Sequence, residues 1–214
     1  LGTTTTQTIP ELVNQVKCRK ARIAVQFYGF ILLMNTEEDM GDGYKRYSSR
    51  VRWSDANDPN VWWPVPEEPD AGQEGNLANF QDLEYGDEIL AAEKLGGNLM
   101  IYTARGIWRC YLQLGPANTS VFGFQRVYSE PKNSTGCIAY PRTLVSTGDN
   151  HFYMGRDAIY RYNAYTPQPE RLGWIHAASA IIYDSMYPAM QIDDTLCEAP
   201  VAEYRPELKE LMFS

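Results

Sequence analysis

No apolar run in this chain approaches the ~20 residues that a helix needs to cross a bilayer, and no stretch resembles a signal peptide. A membrane anchor is therefore not expected. Cysteine is sparse: Cys18, Cys110, Cys137 and Cys197 are widely spread and form no CxxC pair, which excludes a zinc ribbon or a thioredoxin-like motif. Histidine is limited to His151 and His176, in unrelated contexts. The first reads as a half-buried strand residue and the second as a helix start. There is no G-x-S-x-G elbow, no P-loop, no G-x-G-x-x-G and no H-E-x-x-H. No residue is accordingly assigned as catalytic, cofactor-binding or metal-binding, and no enzyme activity is expected.

Positive charge is also short. Against 27 Asp and Glu stand 19 Lys and Arg, for a formal charge of −8, so the average field repels polyanions. Tight sequence-specific DNA binding is disfavoured, because neutralising phosphates supplies much of that affinity. A wall that does not grip phosphates would still let DNA slide along it.

What the chain has is length and strand-forming residues. At 214 residues, 44% hydrophobic and 13% aromatic with 15 Tyr and 5 Trp, it can bury a sizeable core and leans toward β structure. Residues 1–21 read as an extended lead-in, or as a short helix capped by Thr8-Ile9-Pro10-Glu11. From residue 22 onward, short β-rich runs alternate with turn residues. Arg22 to Tyr28 leads through Gly29 into Phe30-Ile31-Leu32-Leu33-Met34, and Tyr47 to Trp53 follows. Ile89 to Leu95 passes through Gly96-Gly97-Asn98 into Leu99-Met100-Ile101-Tyr102, and Ile107 to Leu112 and Phe122 to Tyr128 return. Thr143 to Thr147 passes through Gly148-Asp149-Asn150 into His151-Phe152-Tyr153-Met154, and Ala158 to Tyr162 returns.

Gly97 and Gly148 are 51 residues apart, and Gly29 and Gly97 are 68 apart. A repeat of roughly 40 to 50 residues holding about four short strands is what one β-propeller blade requires. The expected fold is therefore mainly all-β, an incomplete propeller over 22–214. Its blade-like units are about 22–54, 77–128 and 140–165, with the start of another at 200–214. An ordinary antiparallel sandwich or meander would give the same hairpin signals. Ala177 to Met186 carries helix-forming residues before Pro188, so a short helix is expected near 177–187. Pro66 to Gly75 is acidic and rich in Pro and Gly, as a surface loop would be. The chain opens at Leu1 without a Met and stops in the apolar run Leu211-Met212-Phe213-Ser214, which leads us to expect a piece of a longer polypeptide.

A few residues invite a sharper reading. The acids of Asn35 to Gly43 and of Asp55 to Asp58 were weighed as calcium ligands, but neither matches D-x-[DN]-x-[DN]-G, so solvated turns are expected. Trp62 and Trp63 could stack on a glycan, or anchor a loop. Arg50, Arg52, Arg105, Arg109, Arg126, Arg156 and Arg161 recur at strand ends. Facing one channel they could contact DNA, whereas pairing with acids on neighbouring strands or blades is the plainer expectation. The sequons at Asn118 and Asn133 fit either a secreted glycoprotein with disulfides or chance in polar loops. Soluble assembly in a reducing cytosol fits the thiol pattern better.

Several of these segments, in the same order, resemble the β-propeller tail proteins of short-tailed bacteriophages, known as nozzle, tail tubular or tail-hub proteins. The most specific is Ser49-Arg50-Val51-Arg52-Trp53-Ser54-Asp55 followed by Asp58-Pro59 and Trp62-Trp63. Asn79-Phe80-Gln81-Asp82-Leu83 with Ile89 to Arg109 resembles the next blade, and His151 to Tyr160 an aromatic strand with a Gly-Arg-Asp turn. Ile181 to Met186, then Pro206 to Ser214, resembles the start of a further one. The resemblance covers roughly 22–214, leaves Thr3 to Lys20 unmatched, and includes no catalytic residue. It implies a virion tail component assembled in the host cytoplasm. Such a chain would self-associate in a six-fold ring, meet adaptor or portal-side proteins and fibres or spikes, and line the route by which genomic DNA passes transiently. Two rivals are a carbohydrate-binding or carbohydrate-cleaving receptor-recognition propeller, and a secreted domain held by disulfides.

Overall fold

A computed structural model describes residues 17–39, 43–56, 58–62, 77–113, 120–131, 136–156, 158–166, 168–172, 201–208 and 210–213. These residues are almost all β. They hold no α-helix, and Glu84–Gly86 and Pro141–Thr143 are single 3-10 turns. Three four-stranded antiparallel sheets follow one another, each with its strands side by side in chain order, and none closes into a barrel. That sequential meander is the form of a propeller blade. The helix expected near 177–187 and the N-terminal cap around Thr8 lie outside the described residues.

The chain divides into two compact units, Leu1–Asp82 and Leu83–Ser214. In the first, strands β1 (Lys17–Phe27), β2 (Phe30–Asp39), β3 (Tyr44–Trp53) and β4 (Asn79–Asp82) form one sheet. Strand β1 begins inside the stretch read as a lead-in. Its hairpin with β2 turns on Tyr28 and Gly29, both at positive φ (49° and 85°), the geometry of a two-residue turn matched to strand twist. Side chains alternate across a strand, so Leu32 and Met34 of β2 share a face with their register partners Trp53 and Val51 of β3. All four are at most 1% exposed. Strand β4 completes this sheet, pairing Arg50 with Asp82 and Arg52 with Phe80. Residues 79–82 thus belong to the first blade, where the sequence pattern had opened the second; what draws them there is the backbone ladder and the Arg50–Asp82 pair.

In the second unit β5 (Ile89–Leu95), β6 (Asn98–Thr103), β7 (Gly106–Leu112) and β8 (Phe122–Ser129) form one sheet. The strands β9 (Val145–Ser146), β10 (Asn150–Met154), β11 (Ile159–Asn163) and β12 (Glu170–Arg171) form another. The last runs past residue 165, where the sequence pattern had stopped. Gly96 and Gly148 take positive φ (59° and 91°) at the turns into β6 and β10, a conformation that suits glycine. One core joins the two sheets: Leu95, Met100, Tyr102 and Ile107 pack with Tyr153, Ala158, Tyr160 and Tyr162. Tyr102 meets Tyr153 edge-on with ring centroids 5.1 Å apart, and Tyr153 stacks on Tyr160, both favoured aromatic geometries. Within 200–214, read as the start of another blade, β13 (Ala202–Arg205) and β14 (Glu210–Phe213) form a two-stranded hairpin.

Candidate functional site

Two buried polar networks stand out, one in each unit. In the first, Arg50 and Arg52 of β3 alternate along the strand with Val51 and Trp53, and all four are buried. Arg52 and Glu38 are both fully buried. The Glu38 carboxylate accepts from Arg52 Nε (3.0 Å) and Nη2 (2.7 Å), from Arg50 Nη1 (3.1 Å) and from Thr36 Oγ1 (2.5 Å). Arg50 also donates to both oxygens of Asp82 at 2.7 and 2.8 Å, the bidentate geometry that makes such pairs strong. Its guanidinium lies between the rings of Tyr47 (3.8 Å) and Phe80 (4.2 Å). Burial alone would raise the Glu38 carboxyl. The hydrogen bonds from Arg52 and Thr36 and the charges of Arg52 and Arg50 outweigh it, and its pKa lies below the usual carboxylate value.

The same network reaches the turn-dense loop that follows β3. Arg52 Nη1 donates to the carbonyl of Trp62 at 3.0 Å. Asp55 Oδ1 accepts the Leu77 N–H at 2.8 Å, and Trp53 Nε1 donates to the Leu77 carbonyl at 2.9 Å. Asp58 Oδ1 accepts from the backbone and side-chain nitrogens of Asn60. Of the acids that could have served calcium, Asp39, Asp55 and Asp58 thus accept backbone N–H groups, and Glu37 and Glu38 meet cationic side chains. No group of three or more His, Cys, Asp or Glu among the described residues is placed to hold a metal ion. Trp63 and residues 40–42 lie outside the described residues.

In the second unit His151 is fully buried, deeper than a half-buried strand residue. Its Nε2 lies 2.9 Å from the Lys94 carbonyl and its Nδ1 2.8 Å from Tyr102 Oη. A carbonyl can only accept, so Nε2 carries the proton, and Nδ1 accepts from the tyrosine hydroxyl. Burial, reinforced by the Tyr162 charge, lifts the Tyr102 pKa well above its ordinary value and keeps that proton in place. Burial also lowers the His151 pKa, against the Lys94 carbonyl and the Glu93 charge, so the ring is neutral at pH 7. One imidazole thus ties β10 to β5 and β6 across the seam between two sheets. Nearby, Tyr153 Oη donates to the Gly136 carbonyl at 2.7 Å.

Four more of the strand-end arginines, Arg105, Arg109, Arg126 and Arg161, also meet acids or an amide. Asp87, 4% exposed, is paired with Arg105 at 2.7 Å and Arg126 at 3.3 Å. Arg161 pairs with Glu170 across β11 and β12, and Arg109 donates to Gln125 across β7 and β8. Cys18, Cys110 and Cys137 are free thiols. Burial pushes the Cys110 thiol far up, and burial with the Glu130 charge pushes Cys137 up to about 12. Cys197, His176 and both sequon asparagines lie outside the described residues.

Glu38 and Tyr102 are the functional side chains that motif reading missed. The signal for Glu38 was present in outline: two arginines two apart on a strand otherwise fit for burial require an anion among their neighbours. Nothing in the spacing says which acid supplies it. No helix among the described residues is long and apolar enough to cross a membrane. No family model matches the chain, and no match was found among curated proteins.

Proposed function

We propose that this chain is a non-enzymatic structural protein of a short-tailed phage tail, part of a ring-shaped nozzle or hub that lines the DNA exit channel and docks other tail proteins. The observation that carries the reading is where the buried polar groups go. Arg50, Arg52, Glu38, Tyr102 and His151 all fasten strand to strand or sheet to sheet within successive four-stranded sheets. Such bonds lend rigidity, which a conduit needs, and leave little for chemistry. The ordered match of Ser49 to Trp63 and of His151 to Tyr160 to the tail-propeller pattern supports the same reading. So does the acid excess, because a lumen poor in free cations does not retain phosphates.

Image reconstruction of purified virions, with mass spectrometry of their proteins, tests it. The chain is expected in the particle, in a six-fold ring with its sheets around an axial channel. A full-length parent that is monomeric and absent from purified virions refutes the role.

A further inference from the structure

We propose that the solvent-facing end of the first sheet, Arg19 to Arg22 of β1 with Lys45 and Arg46 of β3, is a docking surface for an acidic edge of a second copy of this chain. The inference rests on the ring-forming reading and names the surface that would make the contact.

Charge is segregated here. Arg19, Lys20, Arg22, Lys45 and Arg46 are all exposed, leaving fourteen of the nineteen cations and twenty-four of the twenty-seven acids for the rest of the chain. Between the two cationic strands runs β2 with Glu37, Glu38 and Asp39. Glu37 pairs with Arg19 and Lys20, Glu38 is buried against Arg50 and Arg52, and Asp39 accepts the Gly43 N–H. A polyphosphate laid across this ribbon would meet the partly exposed carboxylates of Glu37 and Asp39 between the cations. A protein edge, whose charges alternate at strand spacing, need not.

The backbone points the same way. Among the described strands β1 is the outermost of its sheet, and it is 11 residues long. Arg19, Lys20, Ala21 and Arg22 are exposed in succession, so solvent reaches both faces there. An outer strand offers a row of N–H and C=O groups to any strand laid beside it. Basic side chains on such an edge repel an identical edge and attract an acidic one. They therefore forbid β1 from pairing with β1 of another copy and select a head-to-tail contact, the kind that generates rings when the rotation closes. A second copy supplies the partner charge, since the remainder of the chain is strongly acidic.

Sedimentation velocity of the full chain, from about 0.1 M to about 1 M salt, is the test; over that range the screening length falls from about 10 Å to about 3 Å. The wild type is expected to self-associate at low salt and to dissociate at high salt. Arg19→Glu/Lys20→Glu/Arg22→Glu should weaken association about tenfold or more, with an unchanged circular dichroism spectrum. Lys45→Glu/Arg46→Glu, on the neighbouring strand, should do the same and serves if the triple variant misfolds. A wild type that stays monomeric at low salt overturns the inference and leaves the tail role to the virion images. Association undiminished by either variant overturns the inference alone. Labelled DNA that binds the wild type and is lost with the triple variant overturns it too, by making a nucleic acid the occupant.

Discussion

Glu38→Leu should be the most damaging single substitution in the first unit. It withdraws from Arg52, fully buried, the carboxylate that takes both its Nε and Nη2 hydrogens. Removing one member of a buried ion pair costs about 3–5 kcal/mol, because the remaining charge stays out of water. Asp82→Asn removes a pair of comparable length from Arg50, but the Asp82 side chain is 47% exposed. Water replaces part of what is lost, and the cost should be about 1 kcal/mol or less. The double variant Glu38→Leu/Arg52→Leu should recover most of the loss, since apolar residues in place of a buried pair are often neutral. A deficit of about 1 kcal/mol or more should remain, for the hydrogen bond that Arg52 gives the Trp62 carbonyl and for Thr36 Oγ1 and Arg50 Nη1, which lose the carboxylate.

Hydrogen exchange read peptide by peptide separates these cases. In Glu38→Leu, amides of β2 and β3 should exchange about two to three and a half decades faster, at about 1.4 kcal/mol per decade, while those of β6 and β7 keep their protection. Glu38 also makes the first unit acid-sensitive. A carboxyl whose folded pKa is depressed contributes its stability in full above the unfolded value, 4.5, and loses it as pH falls through the lower folded value. That loss should vanish in the double variant. A single variant that costs under about 1 kcal/mol, or a double variant less stable than the single, would refute the reasoning.

The remaining predictions concern the second unit and the thiols. Tyr102→Phe leaves His151 Nδ1 without the hydroxyl that faces it and should cost about 1–3 kcal/mol, read as a lowered urea midpoint. Because the folded His151 pKa lies below its ordinary 6.5, the unfolded chain binds the extra proton first; stability of this seam should be complete above that value and fall as pH drops below it, a slope that His151→Gln should abolish. Gly106→Ala would place a methyl 2.7 Å from the Tyr128 carbonyl oxygen, so β7 and β8 must part, and thermal unfolding should show a loss of about 1–3 kcal/mol. In a Cys197→Ser background, Cys18 should react with a thiol reagent before the buried Cys110 and Cys137; labelling of the latter two at the rate of an exposed thiol would contradict their burial.

How much of this could be read in advance depended on the range of the interaction. Alternating apolar residues and turn glycines are local signals, and they mark the hairpins around Gly29, Gly96 and Gly148 in the sequence alone. Strand partners across a long loop are not local. Residues 79–82 were read with the strands that follow them in sequence, yet they pair backward with β3, across the loop that begins at Asp55. Glu38 was hidden for a related reason. Asn35 takes a positive φ of 55°, and the β2–β3 register shifts between Met34 and Thr36. Burial alternates along β2 through that point, with Leu32, Met34, Thr36 and Glu38 all buried, but the shift changes which residues of β3 lie opposite, so a count of alternation cannot say that Glu38 meets Arg50 and Arg52.

That irregularity suggests why charge was placed in the interior at all. A wholly apolar strand pair is indifferent to a slip of two residues, which restores the same face. A buried carboxylate that must receive four hydrogen bonds from Thr36, Arg50 and Arg52 is satisfied in one register only, and any other leaves charges buried and unmatched, at several kcal/mol. His151 does for the seam between sheets what Glu38 does within one: its two nitrogens are satisfied only when β10 sits against both the Lys94 carbonyl and the Tyr102 hydroxyl. Sheets built on one plan can stack in wrong registers, and apolar packing alone does not penalise that strongly. Polar groups with a single satisfied arrangement do, and so specificity, more than net stability, accounts for finding the least exposed charges and the buried histidine at strand and sheet junctions.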